Sequence, residues 1–252
     1  MKTTHGRDAR ATLTVIFCTE EKAVLESVKR AVCDANLELV RVGLVLMTWG
    51  NASAIDREKG VVVIKPSGVP YDGMRPEDMV VVDLDGRVVE GAHKPSVDTP
   101  THLVLYLAWP EVGGVVHTHS HCATCWAQAC QAIPCLGTTH ADFAHGEVPV
   151  TDCLTAGEVA DGYEANIGRC IVRRFESLDP MHCPGVLSAN HAPFAWGKTI
   201  VEAVQNAIVL EEIAKMALHT RILNAQQPPI SQFLLDKHFN RKHGKGAYYG
   251  QS

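Results

Sequence analysis

Two histidines separated by one residue are the clearest chemical signal in the sequence. His117 and His119 follow an apolar, β-branched run and precede a helical pattern that begins near His121. Side chains on a strand alternate between faces, so these two imidazoles project from the same side. Two imidazoles on one face can bind a single transition metal, and Zn²⁺ favours nitrogen ligands of this kind. Polar residues that bond to backbone at a strand end explain an isolated His-x-His equally well.

Two further residues have side chains that suit the same site. His191 stands at the predicted end of another strand, which suits a third metal ligand. Asp98 precedes a helical pattern with Pro100 in its first turn. Its carboxylate therefore either caps that helix or faces the strand that carries the two histidines.

Two turns of small residues have the composition of ligand-binding loops. The segment 50–53 reads Gly-Asn-Ala-Ser, and the segment 65–68 reads Lys-Pro-Ser-Gly. The first would let backbone N–H groups approach a ligand, and the second combines the cation, hydroxyl and flexible glycine of a phosphate cradle. Ordinary turns of similar composition are common, so each signal is weak by itself.

The composition excludes several classes of partner. The chain has 252 residues, is 46% hydrophobic and carries a net charge of −5 without any basic run. Nucleic acid and membranes are therefore not expected partners, and no apolar run reaches the ~18 residues of a membrane span. We expect a cytoplasmic protein with a flexible N-terminal extension over residues 1–20 and a single domain over 21–252.

The nine cysteines do not form a disulfide framework, because their number is odd and the chain is long. Cys122 and Cys125 form a C-x-x-C inside a helical pattern, with Cys130 and Cys135 following. A four-cysteine zinc site would need a second closely spaced pair. We interpret all four as buried, reduced thiols, since free cysteine is among the most buried residue types.

The elements that must position these residues follow from hydrophobic periodicity. Helices are predicted over 21–40, 155–167 and from 199 to about 223. Strands are predicted over 44–49, 61–64, 79–82, 87–90, 115–119, 170–175 and 186–189. This order favours a single α/β domain with a mostly antiparallel sheet between helical layers. The polar C-terminal tail is expected to fray unless it docks on a neighbour.

These motifs, in this order, resemble the class II aldolase/epimerase family from about residue 35 to residue 251. The resemblance rests on the segments 48–51, 63–69, 94–102, 116–120, 137–142, 193–198 and 247–251. The last segment is similar to that of the epimerases in the family rather than its sugar-phosphate aldolases. The resemblance implies a three-layer α/β/α fold and a fourfold-symmetric homotetramer with active sites between subunits.

The resemblance also implies the site residues. A divalent metal, Zn²⁺ or another such as Mn²⁺ or Co²⁺, would be held by His117, His119 and His191, with Asp98 beside it. Asp142 and Tyr249 match the acid/base pair, with Tyr249 reaching in from the next subunit. Substrate and phosphate contacts fall on Gly50, Asn51, Lys65, Ser67, Gly68, Ser96 and Val97. Val97 departs from the pattern, because the family usually has a second serine there that offers a hydroxyl to the phosphate.

The implied reaction interconverts L-ribulose 5-phosphate and D-xylulose 5-phosphate. C4 carries no acidic hydrogen, so the carbon is inverted by metal-assisted retro-aldol cleavage of C3–C4 and re-addition to the other face of the aldehyde. Two proton carriers are then needed, one for each face. The alternatives are a related aldolase that releases its aldehyde, an epimerase of another pentulose phosphate, or a metal-free structural relative that serves as an interaction module.

Overall fold

A seven-stranded antiparallel sheet forms the centre of the protein. The computed structural model describes residues 8–248, with side chains from Leu25 onward. The strands are β1 Gly50–Asp56, β2 Val61–Ile64, β3 Val80–Asp83, β4 Val88–Glu90, β5 Gly114–Thr118, β6 Gly185–Leu187 and β7 Pro193–Gly197. They lie in the order β4-β3-β2-β1-β5-β7-β6, and every pairing is antiparallel. The predicted antiparallel sheet is therefore confirmed.

Helices cover both faces of this sheet. Over residues 8–248 they are α1 Asp8–Arg41, α2 Thr99–Ala108, α3 His121–Gln128, α4 Thr138–Ala141, α5 Ala156–Ala160, α6 Tyr163–Arg174, α7 Ile200–Leu223 and α8 Gln232–His243. α2 packs against α6 on one face, and α1 and α7 pack on the other. This is the predicted three-layer α/β/α arrangement. No helix in the described part of the chain has the length and apolarity of a membrane span.

The central strand β1 consists of small residues, which lets helices approach it closely. The side-chain amide of Asn36 in α1 bonds the backbone of Ala52 in both directions, at 3.1 Å to the carbonyl and 2.9 Å from the N–H. Gly50 has φ +155°, and a Cβ there would lie 2.9 Å from the His117 carbonyl oxygen. Glycine is therefore required where β1 meets the strand that carries the histidines.

The prediction for residues 44–53, a strand followed by a turn, was wrong, because the structure has a loop followed by a strand. The apolar run that begins at Leu44 is a loop, and the segment 50–53, predicted as a turn, is the start of β1. Leu44 and Val45 are buried in the core without joining the sheet, while Met47 has φ +52°, which interrupts any strand. A short apolar run does not distinguish a strand from a buried loop.

Four further boundaries differ from the predictions. Residues 170–175 are not a strand: 170–174 complete α6 and Phe175 is its C-cap, because Ile167 and Ile171, one helical turn apart, are buried together. The helix predicted over 155–167 is two helices, interrupted at Gly162, where φ is +75°. β7 was not predicted. α1 begins at Asp8 instead of residue 21. The flexibility of residues 1–20 and the limits of the domain stay predictions.

The cysteines are free at all eight described positions, but they are not all buried. Cys122 and Cys135 are buried as predicted. Cys125 and Cys130 are exposed, so the prediction of burial was wrong for these two. Cys125 lies on the outer surface of α3, and Cys130 follows the end of that helix.

The contact between α2 and α6 depends on a glycine and gives a stability prediction. A Cβ at Gly168 in α6 would lie 2.8 Å from Val104 Cβ and 3.0 Å from the Thr101 carbonyl oxygen, both in α2. Gly168→Ala should therefore lower the free energy of unfolding by about 1–3 kcal/mol, as overpacking does. Urea denaturation measures this change.

The matched control is Gly157→Ala in α5, where a Cβ would meet nothing within 4 Å. That substitution should be neutral or slightly stabilising, because alanine has the higher helix propensity. Equal effects of the two substitutions would contradict close packing at Gly168.

Candidate metal centre

Three histidines from separate parts of the sheet meet at one point. His117 lies near the end of β5, His119 just beyond it, and His191 on the turn between β6 and β7. One ring nitrogen from each lies within 4.8 Å of the others. The Nε2 atoms of His117 and His191 are 3.3 Å apart. The structure thus brings together the three histidines that the sequence singled out.

The protonation of His117 suits a metal ligand. Its Nδ1–H donates to the carbonyl of Pro193 at 3.0 Å, so the neutral ring keeps a lone pair on Nε2. Burial lowers the pKa of His117 to about 3. Burial also lowers the pKa of His119 and of His191. Neutral imidazoles are the form that binds metals.

The spacing of the nitrogens also fits a metal ion. With Zn–N bonds of about 2.0–2.1 Å, two ligands of a tetrahedral site lie about 3.3–3.4 Å apart. The 3.3 Å between the Nε2 atoms of His117 and His191 agrees with that value. The donor set is three borderline-soft nitrogens, which suits zinc and similar divalent ions. These residues therefore fit a divalent metal.

Asp98 lies beside the histidines, and its carboxylate does not cap α2. It stands at the N-cap position, yet its side chain makes no capping hydrogen bond. Instead, Oδ2 accepts a hydrogen bond from Asn51 Nδ2 at 2.7 Å. Burial would raise the pKa of Asp98, but His117 and the other nearby histidines, with the Asn51 amide, hold it below its usual value. Asp98 is not among the residues whose ligand atoms lie within 4.8 Å of one another.

A buried polar ladder between β1 and α2 supports this carboxylate. Residue 98, at the N-cap of α2, and residues 102 and 106 within the helix are spaced one helical turn apart. Residue 98 faces Asn51 of β1, and residues 102 and 106 both face Ser53. Ser53 Oγ lies 2.7 Å from His102 Nδ1 and 2.8 Å from the Tyr106 hydroxyl. Sequence reasoning did not identify His102 and Tyr106 as supports. Their signal is the spacing of four between polar residues in an otherwise apolar helix.

Lys65 does not project from its loop as the predicted phosphate cradle suggested. Its Nζ is buried and donates to the carbonyls of Pro66 and Val69, at 3.1 and 2.7 Å. It also lies 4.6 Å from the centre of the Tyr71 ring, and burial lowers its pKa to about 8. Lys65 therefore shapes the loop from inside.

Of the other predicted substrate contacts, Gly50, Asn51 and Ser96 are buried, and the rest are exposed on the loops. The N–H of Ser67 donates to the Lys94 carbonyl at 2.9 Å, and the N–H of Ser96 donates to the Lys65 carbonyl at 3.0 Å. These bonds hold two loops side by side, and Ser67, Gly68 and Val97 are exposed. In the part of the chain with described side chains, Asn51 Oδ1 is a buried acceptor without a hydrogen-bond partner.

Asp142 lies apart from the three histidines, with the C-terminal helix. Its carboxylate accepts from Arg241 Nη2 at 2.6 Å and from His238 Nδ1 at 3.1 Å. Burial would raise the pKa of Asp142, but Arg241 and His238 hold it below its usual value. Leu235 and Phe239 are buried, so one side of α8 packs against the rest of the chain. Tyr249 lies outside the described residues.

Comparisons with known proteins agree with the fold and the motifs. The family model "Class II Aldolase and Adducin N-terminal domain" matches residues 30–218. A protein named L-ribulose-5-phosphate 4-epimerase UlaF from Salmonella paratyphi C is 56% identical over 227 residues, which are 90% of this chain and 100% of that protein. The protein of the same name from Salmonella choleraesuis matches to the same extent.

Solved structures are similar over most of the chain. An L-fuculose 1-phosphate aldolase is 25% identical, with a TM-score of 0.73 over 85% of this chain and 95% of its own. The L-fuculose 1-phosphate aldolase from Glaciozyma antarctica, at 20% identity and a TM-score of 0.72, covers 90% of this chain and 86% of its own and supports the fold alone. On the matched residues and the shared fold, this chain belongs to the class II aldolase and adducin family.

Proposed function

We propose that this chain is a metal-dependent epimerase that interconverts L-ribulose 5-phosphate and D-xylulose 5-phosphate. The observation that carries the proposal is the cluster of three neutral histidines with Asp98 beside it. The relatives at 56% identity that are named L-ribulose-5-phosphate 4-epimerase support the choice of substrate. Zn²⁺ suits the ligand set best, and Mn²⁺ or Co²⁺ are alternatives.

The proposed metal centre is held by this chain's own side chains. His117, His119 and His191 would supply nitrogen ligands, with the Asp98 carboxylate beside them. A bound divalent cation supplies Lewis-acid stabilisation of negative charge on the substrate oxygens when C3–C4 breaks. Asn51 orients Asp98 through its side-chain N–H. The Oδ1 atom of Asn51 has no other partner and would accept a hydrogen bond from a substrate hydroxyl.

The phosphate would be bound by the two paired loops. Ser67 and Gly68 are exposed on one loop, so the Ser67 hydroxyl and the Gly68 backbone would meet the phosphate, with the buried Ser96 hydroxyl behind them on the other loop. The N–H groups of Ser67 and Ser96 pair the two loops and so fix their positions. Lys65 contributes by holding the carbonyls of Pro66 and Val69 inside the loop. A phosphate held there would keep the aldehyde fragment in the site while it turns over.

The acid and base would come from a neighbouring subunit of a homotetramer. Asp142 is bonded to Arg241 and His238 instead of joining the histidine cluster of its own chain. The Tyr248 N–H donates to the Arg241 carbonyl at 2.9 Å, so Tyr248 lies against α8, the helix whose Arg241 and His238 side chains bond Asp142. The resemblance implied that Tyr249 alone reaches in from the next subunit. The bonds of Asp142 to α8 lead us to propose instead that Asp142 comes from that subunit as well, while the metal histidines belong to the other.

The two groups have complementary proton affinities. Arg241 and His238 keep Asp142 ionised, which suits a base. A phenol with an ordinary pKa of about 10 suits Tyr249 as the donor to a developing alkoxide. One group would serve each face of the aldehyde. A coupled assay that offers L-ribulose 5-phosphate with and without chelator tests the function, and accumulation of free glycolaldehyde phosphate would indicate an aldolase instead.

The metal centre gives the first functional prediction. His119→Asn should strip most of the bound metal and abolish epimerisation, because it removes one of three ligands, while the far-ultraviolet circular dichroism stays unchanged. Metal is measured by elemental analysis of the purified protein. His121→Asn is the control, since His121 is exposed and lies outside the cluster. Full metal occupancy of His119→Asn would contradict the assignment.

Val97 gives a prediction about phosphate binding. This side chain is 63% exposed and follows Ser96 in the loop. Val97→Ser should lower KM about tenfold, because a hydrogen bond to a charged group contributes about 1.5–3 kcal/mol. kcat should change less, because the phosphate is held equally in ground and transition states. Val89→Ser on the edge strand β4 is the exposed control, and an unchanged KM for Val97→Ser would show that residue 97 does not meet the phosphate.

The shared site gives a prediction about mixed tetramers. Asp142→Asn and His119→Asn should each be inactive, but subunit exchange between them should restore activity at about one interface in four, since a cyclic assembly pairs each subunit's patch with a different patch of the next. Exchange between Asp142→Asn and Tyr249→Phe should restore nothing, because both residues belong to the same partner. The opposite pattern, measured after exchange is verified by mass spectrometry, would contradict the assignment.

A further inference from the structure

Two exposed cysteines face each other beside the turn that carries His191. Cys130 follows α3 and Cys153 precedes α5, and their sulfur atoms are 3.9 Å apart. Both thiols are free and exposed. A disulfide bond is about 2.05 Å long, so the sulfurs need to approach by only about 2 Å. Side chains on two surface loops can make such a movement.

The side chain of Asn190 bonds both sulfurs. Its Nδ2 donates to Cys153 Sγ at 3.2 Å, and Cys130 Sγ–H donates to its Oδ1 at 3.5 Å. The N–H of Asn190 donates to the Ala127 carbonyl at 3.0 Å. Asn190 has φ +57° and Cys130 has φ +52°, so both hold the left-handed conformation that most residues avoid. His191 follows Asn190 directly.

The loop that carries Cys153 is bonded to the same turn. The Thr151 N–H donates to the Leu187 carbonyl at 2.9 Å, and Thr151 Oγ1 accepts from the Ala189 N–H at 3.0 Å. A movement of Cys130 or Cys153 is therefore transmitted to residues 187–191 through several hydrogen bonds. Neither thiol has a role in the proposed epimerase reaction.

We propose that Cys130 and Cys153 form a dithiol that peroxide converts to a disulfide, and that this bond loosens the turn holding His191. The effect on the metal rests on the proposed metal centre. Hydrogen peroxide oxidises one thiol to a sulfenic acid and releases water. The second thiol attacks that sulfur, the S–S bond forms, and a second water leaves. The two thiols thus lose two electrons and two protons to one peroxide.

The disulfide has a direct structural consequence. A disulfide carries no S–H, so the hydrogen bond from Cys130 to Asn190 Oδ1 is lost. The sulfur atoms also move toward each other, away from the positions in which the Asn190 amide contacts them. Other thiols are poorly suited to this chemistry: burial raises the pKa of Cys122 to about 11 and that of Cys183 to about 12. The hydrogen bond with Cys130 raises the pKa of Cys153, so what sets this pair apart is the exposure of both thiols and the 3.9 Å between their sulfur atoms.

The first test locates the bond in the whole protein. The metal-loaded protein is treated with one equivalent of hydrogen peroxide, its remaining thiols are alkylated, and its peptides are mapped by mass spectrometry. A peptide linking residues 130 and 153 should form in the unsubstituted protein and in Cys125→Ser, which lacks an exposed thiol outside the pair. It should be absent from Cys130→Ser and Cys153→Ser and disappear with dithiothreitol. Failure to form this link would overturn the proposal.

The second test measures metal release to a chelator, which is independent of enzymatic activity. Oxidation should speed release on the order of 10-fold, the effect expected when support around a metal ligand is lost. Dithiothreitol should reverse the change, and Cys130→Ser should not respond to peroxide. A disulfide that leaves release unchanged would overturn the coupling to His191. Reduced protein that binds no metal would contradict the metal centre and this coupling, while the linked peptide would still establish the modification.

Discussion

The hydrogen bond between Asn51 and Asp98 joins the three parts of the protein on which the site depends. Asn51 belongs to β1, Asp98 stands at the start of α2, and Asn51 pairs in the sheet with His117 of β5. The bond is possible because β1 is built from small residues that allow α2 to lie close. Its cost is a buried carboxylate, which the amide and the nearby histidines keep ionised.

The electrostatics of the site follow from this arrangement. Burial keeps the imidazoles neutral, and the carbonyl of Pro193 sets the tautomer of His117. The neutral rings and one carboxylate leave the cluster short of positive charge, which a divalent cation supplies. Further along α2, His102 and Tyr106 bond Ser53, so the helix that places Asp98 cannot turn without breaking buried hydrogen bonds.

The proposed metal ligands and the proposed acid/base residue Asp142 lie in different parts of the chain. The histidines are linked to the paired loops through Asp98, which Ser96 and Asn51 bond, whereas Asp142 is held by α8. An assembly in which neighbouring copies complete each other's sites would join them and would make the packing of α8 a condition for activity. The Cys130–Cys153 pair would add a second influence on the proposed metal centre, because both thiols bond Asn190, which directly precedes His191.

The sequence by itself determined the type of fold and singled out the three histidines that the structure brings together. Strand periodicity placed His117 and His119 on one face, and the order of elements predicted an antiparallel sheet between helical layers. Only the tertiary structure decided that residues 170–174 are helical and that residues 44–49 are a loop of which only Leu44 and Val45 are buried. Short apolar runs suit either state until their packing partners are known. The tertiary structure also decided the roles of Asp98, which leaves α2 uncapped to bond Asn51, and of Lys65, which turns inward to its own loop. Both outcomes depend on which groups approach from distant parts of the chain, and that information is absent from local sequence.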